Sequence, residues 1–171
     1  MLKFPKNLIL LAVIIIVIAI PIAWYLISPL FIVKEANDTF PNTTLEKEME
    51  RMEGEVVEID DLMPLQPVIR YNGTFKSSAH DVTGNASVIE TGSSRVLRFE
   101  NFETLNGPDL HIYLSKDLEA TDYVDIGKIK ATKGNVNYDL PPNVSLDEYK
   151  YVLIWCEPFR VLFGSAEILK I

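Results

Sequence analysis

Tyr151-Val152-Leu153-Ile154-Trp155-Cys156 is apolar on both of its alternating faces. Every second residue of a strand points to the same side, and here both sides consist of aliphatic, aromatic or thiol groups. A strand of this kind is typical of a sheet interior that is covered on each side. Glu157-Pro158 follows directly. Because proline cannot donate to a strand ladder, we expect pairing to break after Cys156.

Short β-rich segments recur throughout the region around this stretch, and turn signals such as Asn106-Gly107-Pro108-Asp109 and Lys133-Gly134-Asn135 separate them. No window in this region has the periodicity of a long amphipathic helix. Many short strands at close spacing are typical of an antiparallel sandwich or barrel. We therefore predict an all-β domain over residues 70–171, an antiparallel β-sandwich or a barrel-like form of it. Its strands are expected at residues 72–76, 85–89, 95–99, 110–114, 124–129, 135–140, 151–156, 159–163 and 166–170.

Residues 7–33 form a long apolar run near the start of the chain. The run holds 27 positions without a charged side chain, and a helix needs about 20 residues to cross the ~30 Å hydrocarbon layer. The apolar part of a secretory signal peptide is only about 7–15 residues long and ends at small residues. Trp24-Tyr25-Leu26 follows instead. The run is predicted to be an uncleaved transmembrane signal anchor.

The charges that flank this anchor predict its orientation. Lys3 and Lys6 precede it, whereas Lys34 is followed by Glu35 and Asp38. Positively charged flanks stay in the cytoplasm. We therefore expect a single-pass protein of the cell membrane, with residues 1–6 as a cytoplasmic tail and the chain from residue 34 onward outside the cell.

Residues 34–69 are strongly acidic, with 3 basic and 10 acidic side chains. We interpret them as a stalk or linker that anionic lipid headgroups repel and that holds the domain away from the membrane. Leu45, Met49 and Met52 recur at helical spacing behind Asn42-Thr43-Thr44 and indicate a short helix within this segment.

Five Asn-x-Ser/Thr triplets occur in the predicted external part, at Asn37, Asn42, Asn72, Asn85 and Asn143. The composition alone would give about one, so we expect an N-glycosylated surface protein. The alternative is that turns favour asparagine together with serine or threonine.

Cys156 is the single cysteine of the 171 residues. In an exported chain it cannot form an internal disulfide, which leaves a buried apolar residue, a reactive thiol, a ligand or half of an intermolecular bridge. Its place at a strand end makes it more accessible than a mid-strand residue. Glu157 would raise the pKa of the thiol, whereas Arg160 could lower it.

His80 and His111 are the two histidines of the chain. With Cys156 they could form a copper site, but no histidine or methionine follows Cys156 as in cupredoxins. Two histidines could also clamp a haem, and the ordinary alternative for each is a hydrogen-bonded structural role.

Motifs of hydrolases, zinc proteases and phosphate-binding loops are absent from the sequence. The mildly acidic domain argues against a nucleic-acid partner.

Several motifs follow one another over residues 70–171: His80-Asp81-Val82-Thr83-Gly84, Leu97-Arg98-Phe99-Glu100-Asn101-Phe102, Gly107-Pro108-Asp109-Leu110-His111-Ile112-Tyr113-Leu114, Val152-Leu153-Ile154-Trp155-Cys156 and Phe163-Gly164-Ser165-Ala166. This succession resembles the DM-thirteen domain, the "electron transfer" domain of Skeletor-type cell-surface proteins. The resemblance implies a β-rich extracellular module whose hallmark cysteine corresponds to Cys156. It also implies surface redox chemistry through a bare thiol or a prosthetic group such as haem. A redox partner protein would supply the electron donor or acceptor.

Two hypotheses follow, and both favour a redox or binding module over a hydrolase or transferase. In the first, Cys156 is the active group of an electron-transfer or thiol-redox domain, with His80 and His111 as helpers or axial ligands. In the second, the domain is a non-enzymatic binding or adhesion module of the cell envelope, and Cys156 is a core residue. Covalent dimerisation through Cys156 is a third interpretation.

Overall fold

The computed structural model describes residues 6–28, 32–41, 66–92 and 94–171. An apolar helix precedes ten strands in the described part of the chain. The elements are α1 (Lys6–Ile27), β1 (Glu35–Asn37), β2 (Val68–Ser77), β3 (Val82–Thr91), β4 (Ser94–Thr104), β5 (Leu110–Ser115), β6 (Tyr123–Lys128), β7 (Lys133–Asp139), β8 (Tyr151–Cys156), β9 (Val161–Glu167) and β10 (Leu169–Lys170).

The described strands form one sheet that rolls into a half-barrel. Their spatial order is β1-β7-β4-β3-β2-β9-β8-β5-β6, and β10 pairs with β2. All pairs are antiparallel except β1 with β7. The long strand β2 joins the two halves, because its first part pairs with β3 and its last three residues pair with β9. The predicted all-β, antiparallel and barrel-like fold is confirmed.

The inner face of the half-barrel encloses one hydrophobic core to which both halves of the sheet contribute. On the β8 side it contains Val152, Ile154 and Cys156, and on the facing half it contains Phe99 and Phe102. The rings of Phe99 and Phe102 lie 4.9 Å apart, centroid to centroid. Successive residues of β8 point to opposite faces. Of its two predicted faces, the one formed by Val152, Ile154 and Cys156 therefore points inward.

Strand β1 ties the residues just after the helix to the edge of the sheet. It pairs with β7, and a Cβ atom at Gly134 would overlap the carbonyl oxygen of Ala36. Gly134 also has a φ of +109°, a conformation that favours glycine. The buried guanidinium of Arg98 donates to the carbonyl oxygens of Asp38 and Thr39 at 3.1 Å each.

The prediction of a stalk over residues 34–69 is corrected at both of its ends. Residues 35–37 belong to β1 and residues 68–69 to β2, so both ends of the acidic segment lie in the sheet. β1 was missed because it is only three residues long and pairs with residues 98 positions further along the chain. The short helix predicted near Leu45 lies outside the described residues.

Only seven residues separate α1 from β1. They can span at most about 25 Å. The acidic segment follows β1 and does not lie between the helix and the domain, so it does not act as the predicted spacer.

The helix itself has an 18-residue window, Leu10–Ile27, with a mean hydropathy of 2.9 and no residue buried against the domain. By length and composition it is suited to a membrane span or a signal sequence.

Candidate functional site

Cys156 ends β8 with its side chain in the hydrophobic core. Its register partners are Leu110 on β5 and Val161 on β9, and none of its surface is exposed to solvent. The expectation that the strand end makes this cysteine more accessible is wrong, since mid-strand Ile154 is equally buried. The thiol lies on the inner face, among the residues of the hydrophobic core.

A four-residue turn, residues 157–160, follows the strand, and the backbone N–H of Phe159 within it lies beside the thiol. The N–H of Glu157 donates to the carbonyl oxygen of Asp109 at 3.0 Å, and the N–H of Arg160 closes the turn on the carbonyl oxygen of Glu157 at 3.3 Å. Burial raises the pKa of the Cys156 thiol, although backbone N–H groups of Phe159 and Asp109 favour the thiolate. The buried thiol is therefore neutral.

Glu157 lies on the opposite, outer face of the sheet, next to His111. The Nδ1 atom of His111 lies 2.9 Å from Oδ2 of Asp125, and its Nε2 atom lies 3.5 Å from Oδ1 of Asp109. Lys128 contacts the same Asp109 oxygen at 2.8 Å, and this hydrogen bond holds the pKa of Asp109 below its ordinary value. The site is thus an imidazole among three carboxylates.

Aromatic rings extend this outer face. The hydroxyl of Tyr113 donates to Glu157, and the Tyr113 ring stacks on Tyr123 with centroids 4.1 Å apart and an angle of 20°. Trp155 lies on the other side, 6.1 Å from Tyr113. These rings, Glu157 and Arg160 line an open cleft of about 260 Å³.

His80 lies in different surroundings from His111. Its ring packs on Phe163 with centroids 4.0 Å apart, in a cavity of about 250 Å³ that Phe159 and Pro108 also line. Leu26 of α1 forms part of the same cavity. The structure therefore does not bring the two histidines into one site, and each has its own packing or hydrogen-bonding partner.

The haem that the family resemblance implies does not fit the surroundings of these histidines. The cavity at His80 and the cleft beside His111 measure about 250 and 260 Å³. Sites that enclose even a drug-sized ligand usually measure about 300–1,000 Å³. Both ring nitrogens of His111 also face carboxylates.

Sequence reasoning missed the carboxylates that surround His111. It recognised that His111 and Tyr113 share one face of their strand, but Asp125 lies on β6 and meets His111 only through the sheet register, in which His111 pairs with Lys128. A bulge between Ile112 and Tyr113 shifts this register by one residue. Alternation within a single strand contains no signal for such a contact.

Four of the five glycosylation triplets fall in the described residues. Asn37, Asn72 and Asn143 are exposed, and Asn85 is half-buried. Two triplets face each other across β2 and β3: Thr74 Oγ1 donates to Asn85 Oδ1 at 2.9 Å, and Ser87 Oγ donates to Asn72 Oδ1 at 3.3 Å. Asn42 lies outside the described residues.

Comparison with known proteins gives one match. The profile of the family described as electron transfer DM13 matches residues 74–168, more than half of the 171 residues. The matched region begins in β2 and ends just before β10, so it covers most of the half-barrel. No curated protein and no solved structure matches the chain. The suspected resemblance is confirmed, and the chain belongs to the electron transfer DM13 family.

Proposed function

We propose that this chain is a membrane-anchored redox module of the cell surface in which Cys156 is the active thiol. One observation supports the proposal most directly: a short turn, residues 157–160, rather than a strand or helix, follows Cys156, and the backbone N–H of Phe159 in this turn lies beside the thiol. The buried cysteine then reacts when this turn opens locally, while the rest of the half-barrel stays folded.

Apart from Glu157, the side chains of the turn make few buried contacts. Pro158, Phe159 and Arg160 are all exposed, and 55% of the Phe159 surface is accessible to solvent. Arg160 has a φ of +52°, which is unfavourable for a residue with a side chain. Segments with few buried apolar contacts open at a small fraction of the global unfolding free energy.

Opening would change the chemistry of the thiol. In the closed form burial raises the pKa of Cys156 and keeps the proton on sulfur. Exposure to water returns the thiol towards its ordinary value, and the thiolate can then attack the disulfide of another molecule. Because the chain has one cysteine, the disulfide partner must be a second molecule. The partner is proposed to be another protein of the cell surface.

Helix α1 is proposed to be an uncleaved signal anchor with residues 1–6 in the cytoplasm. The short connection to β1 supports a domain close to the membrane surface. Leu26 shares its cavity with Phe159, so the turn over Cys156 lies at the end of the domain from which the helix departs. In this arrangement Cys156 would meet its partner near the bilayer.

Glycosylation of the external part is proposed with Asn143 as its first candidate. Asn143 is exposed between β7 and β8, in the loop that follows Pro141 and Pro142. Asn72 and Asn85 have a second explanation, because their side chains form cross-strand hydrogen bonds. A mass shift on glycosidase treatment that Asn143→Gln abolishes would support modification at this position.

The redox role can be tested with the full-length chain in lipid nanodiscs. Incubation with glutathione disulfide should produce one mixed disulfide per chain: the Cys156 thiolate attacks one sulfur, and one glutathione leaves as a thiol. Mass spectrometry would detect the adduct, and Cys156→Ser is the control. Arg160→Gly should slow the reaction severalfold, because glycine adopts the left-handed conformation more easily and stabilises the closed turn. A native protein that forms no adduct would contradict the proposal.

The topology needs a separate test. A tag fused after Ile171 should be cleaved by protease added to intact cells, whereas a tag placed before Met1 should be protected. Protection of the C-terminal tag would overturn the proposed orientation.

The competing function is a binding or adhesion module with Cys156 as a core residue. The complete burial of Cys156 among the residues of the hydrophobic core favours it. In this case the thiol would react only after global unfolding, and Cys156→Ser would change stability without changing any redox signal.

A further inference from the structure

Three neighbouring strands bring together an imidazole and two carboxylates on the outer face. One ligand atom from each of His111, Asp125 and Glu157 lies within 4.8 Å of the other two. His111 is on β5, Asp125 is on β6 and Glu157 follows β8, and these three strands are neighbours in the sheet. The backbone register therefore fixes all three positions before any ligand binds.

Each of the three side chains is oriented by a further group outside the set. The N–H of Gly127 donates to Asp125 Oδ1 at 2.8 Å, and the hydroxyl of Tyr113 donates to Glu157. Asp109 lies 3.5 Å from His111 Nε2, on the side of the ring away from Asp125. Metal-binding histidines and carboxylates are typically held by such outer partners, above all a carboxylate on the second histidine nitrogen.

The donor set limits the kind of ion. Ca²⁺ and Mg²⁺ prefer oxygen ligands alone, whereas one imidazole with two carboxylates suits Zn²⁺ and its first-row neighbours. Tetrahedral zinc bonds of about 2.0–2.2 Å place ligand atoms about 3.4 Å apart. A pair at the 4.8 Å limit would therefore have to approach by about 1.4 Å through side-chain rotation. Glu157 borders the open cleft, so water can complete the coordination there.

We propose that His111, Asp125 and Glu157 bind one divalent transition-metal ion, with Zn²⁺ as the best-matched ion. The ligands lie on the outer face of the sheet and Cys156 lies on the inner face, but Glu157 also belongs to the turn over residues 157–160, so a bound ion would hold that turn in place. It is open to solvent through Asp125, which is exposed. A metal ion here would bridge β5, β6 and the turn after β8.

Calorimetric titration of Zn²⁺ into the chelator-treated full-length protein in nanodiscs tests the site. The expected result is one Zn²⁺ per chain, with affinity at least tenfold weaker in Asp125→Asn and in His111→Gln. His80→Gln is the matched control, since His80 packs on Phe163 away from the cluster. It should bind Zn²⁺ as the native protein does.

Tryptophan fluorescence adds a local readout. In a Trp24→Phe background, Trp155 is the remaining tryptophan. Cu²⁺ should quench its emission, and an excess of Zn²⁺ should reverse the quenching.

A calorimetric titration without stoichiometric Zn²⁺ binding would overturn the site, as would equal affinity in the native, Asp125→Asn and His111→Gln proteins. Asp125 is exposed, so its variant should fold normally and a loss of binding can be assigned to the ligand.

Discussion

The inner and outer faces of β8 differ in chemistry although their residues alternate along one strand. The inner face ends in Cys156, which burial keeps neutral within an apolar core. The outer face contains Trp155 and leads into Glu157, beside a histidine, carboxylates and tyrosine rings. Cys156 and Glu157 are adjacent in sequence, but they belong to separate environments.

This difference shows that two kinds of reactivity can be built on one strand with different access. On the outer face Asp125 is exposed and Glu157 borders the cleft, so a ligand can reach these groups from solvent. The inner thiol is fully buried, and under the proposed function its reactivity depends on local opening of the turn over residues 157–160. Substitutions on the two faces should therefore differ in their effects on stability, on its pH dependence and on ligand binding.

The largest difference between the faces is expected in packing. Ile154→Ala removes buried methyl groups and should lower the unfolding free energy by about 2–5 kcal/mol. Trp155→Phe, on the neighbouring outer position, keeps an aromatic ring and should cost less than about 1.5 kcal/mol. Urea denaturation of both variants measures the contrast. Equal losses of unfolding free energy in the two variants would mean that the outer face is packed as a second hydrophobic core.

Alkaline pH should destabilise the inner face. Burial raises the pKa of Tyr138 to about 12 and raises that of Cys156 above its ordinary value. The unfolded chain releases these protons first, so stability should fall as the pH rises above about 9, by about 2–3 kcal/mol from Tyr138 alone near pH 12. Thermal unfolding between pH 8 and 11 of native protein and Tyr138→Phe measures this effect; an identical pH dependence in the two would contradict it.

Substitution of the thiol should have an intermediate effect. Cys156→Ser places a hydroxyl in the core and should cost about 1–3 kcal/mol. Cys156→Ala avoids the polar group but leaves a small cavity, and it should be no more destabilising. Comparison of their denaturation midpoints tests this order. If Cys156→Ser is as stable as the native protein, the backbone N–H groups of Phe159 and Asp109 form hydrogen bonds with the new hydroxyl.

The smallest effect on stability is expected at the outer cluster. His111→Gln removes contacts with the partly exposed carboxylates of Asp109 and Asp125 and should change the unfolding free energy by less than about 1 kcal/mol in metal-free buffer. With saturating Zn²⁺ the native protein alone should become more stable. A large loss of unfolding free energy in metal-free buffer would indicate that His111 has mainly a structural role.

Much of the fold followed from patterns within single segments. The two apolar faces of residues 151–156 predicted a covered strand, and the turn signal around residues 106–109 separated β4 from β5. The turn signal at residues 133–135 was wrong, because these residues lie inside β7 and pair with β1. β1 could not be predicted, because three residues carry no alternation and its position depends on Gly134 and Arg98 far along the chain. The acidic segment was consequently misplaced between helix and domain.

The candidate sites were less predictable than the strands. Cys156 was identified as the residue of interest, but its burial depends on a turn and two strands that are brought together only in the fold. The contact of His111 with Asp125 depends on a bulge in the β5–β6 register. Such contacts between strands are set by register and not by composition.

The most direct test of the thiol proposal is the rate of Cys156 alkylation in the native full-length protein as a function of urea. If the turn over residues 157–160 opens locally, the rate between 0 and about 1 M urea should stay nearly constant, because little surface is exposed. If the thiol reacts only from the globally unfolded state, the rate should rise roughly 5- to 30-fold over the same range, as expected for a urea dependence of about 1–2 kcal/mol per molar. The first result would support a gated redox thiol. The second would contradict it and leave Cys156 as a core residue of a binding module.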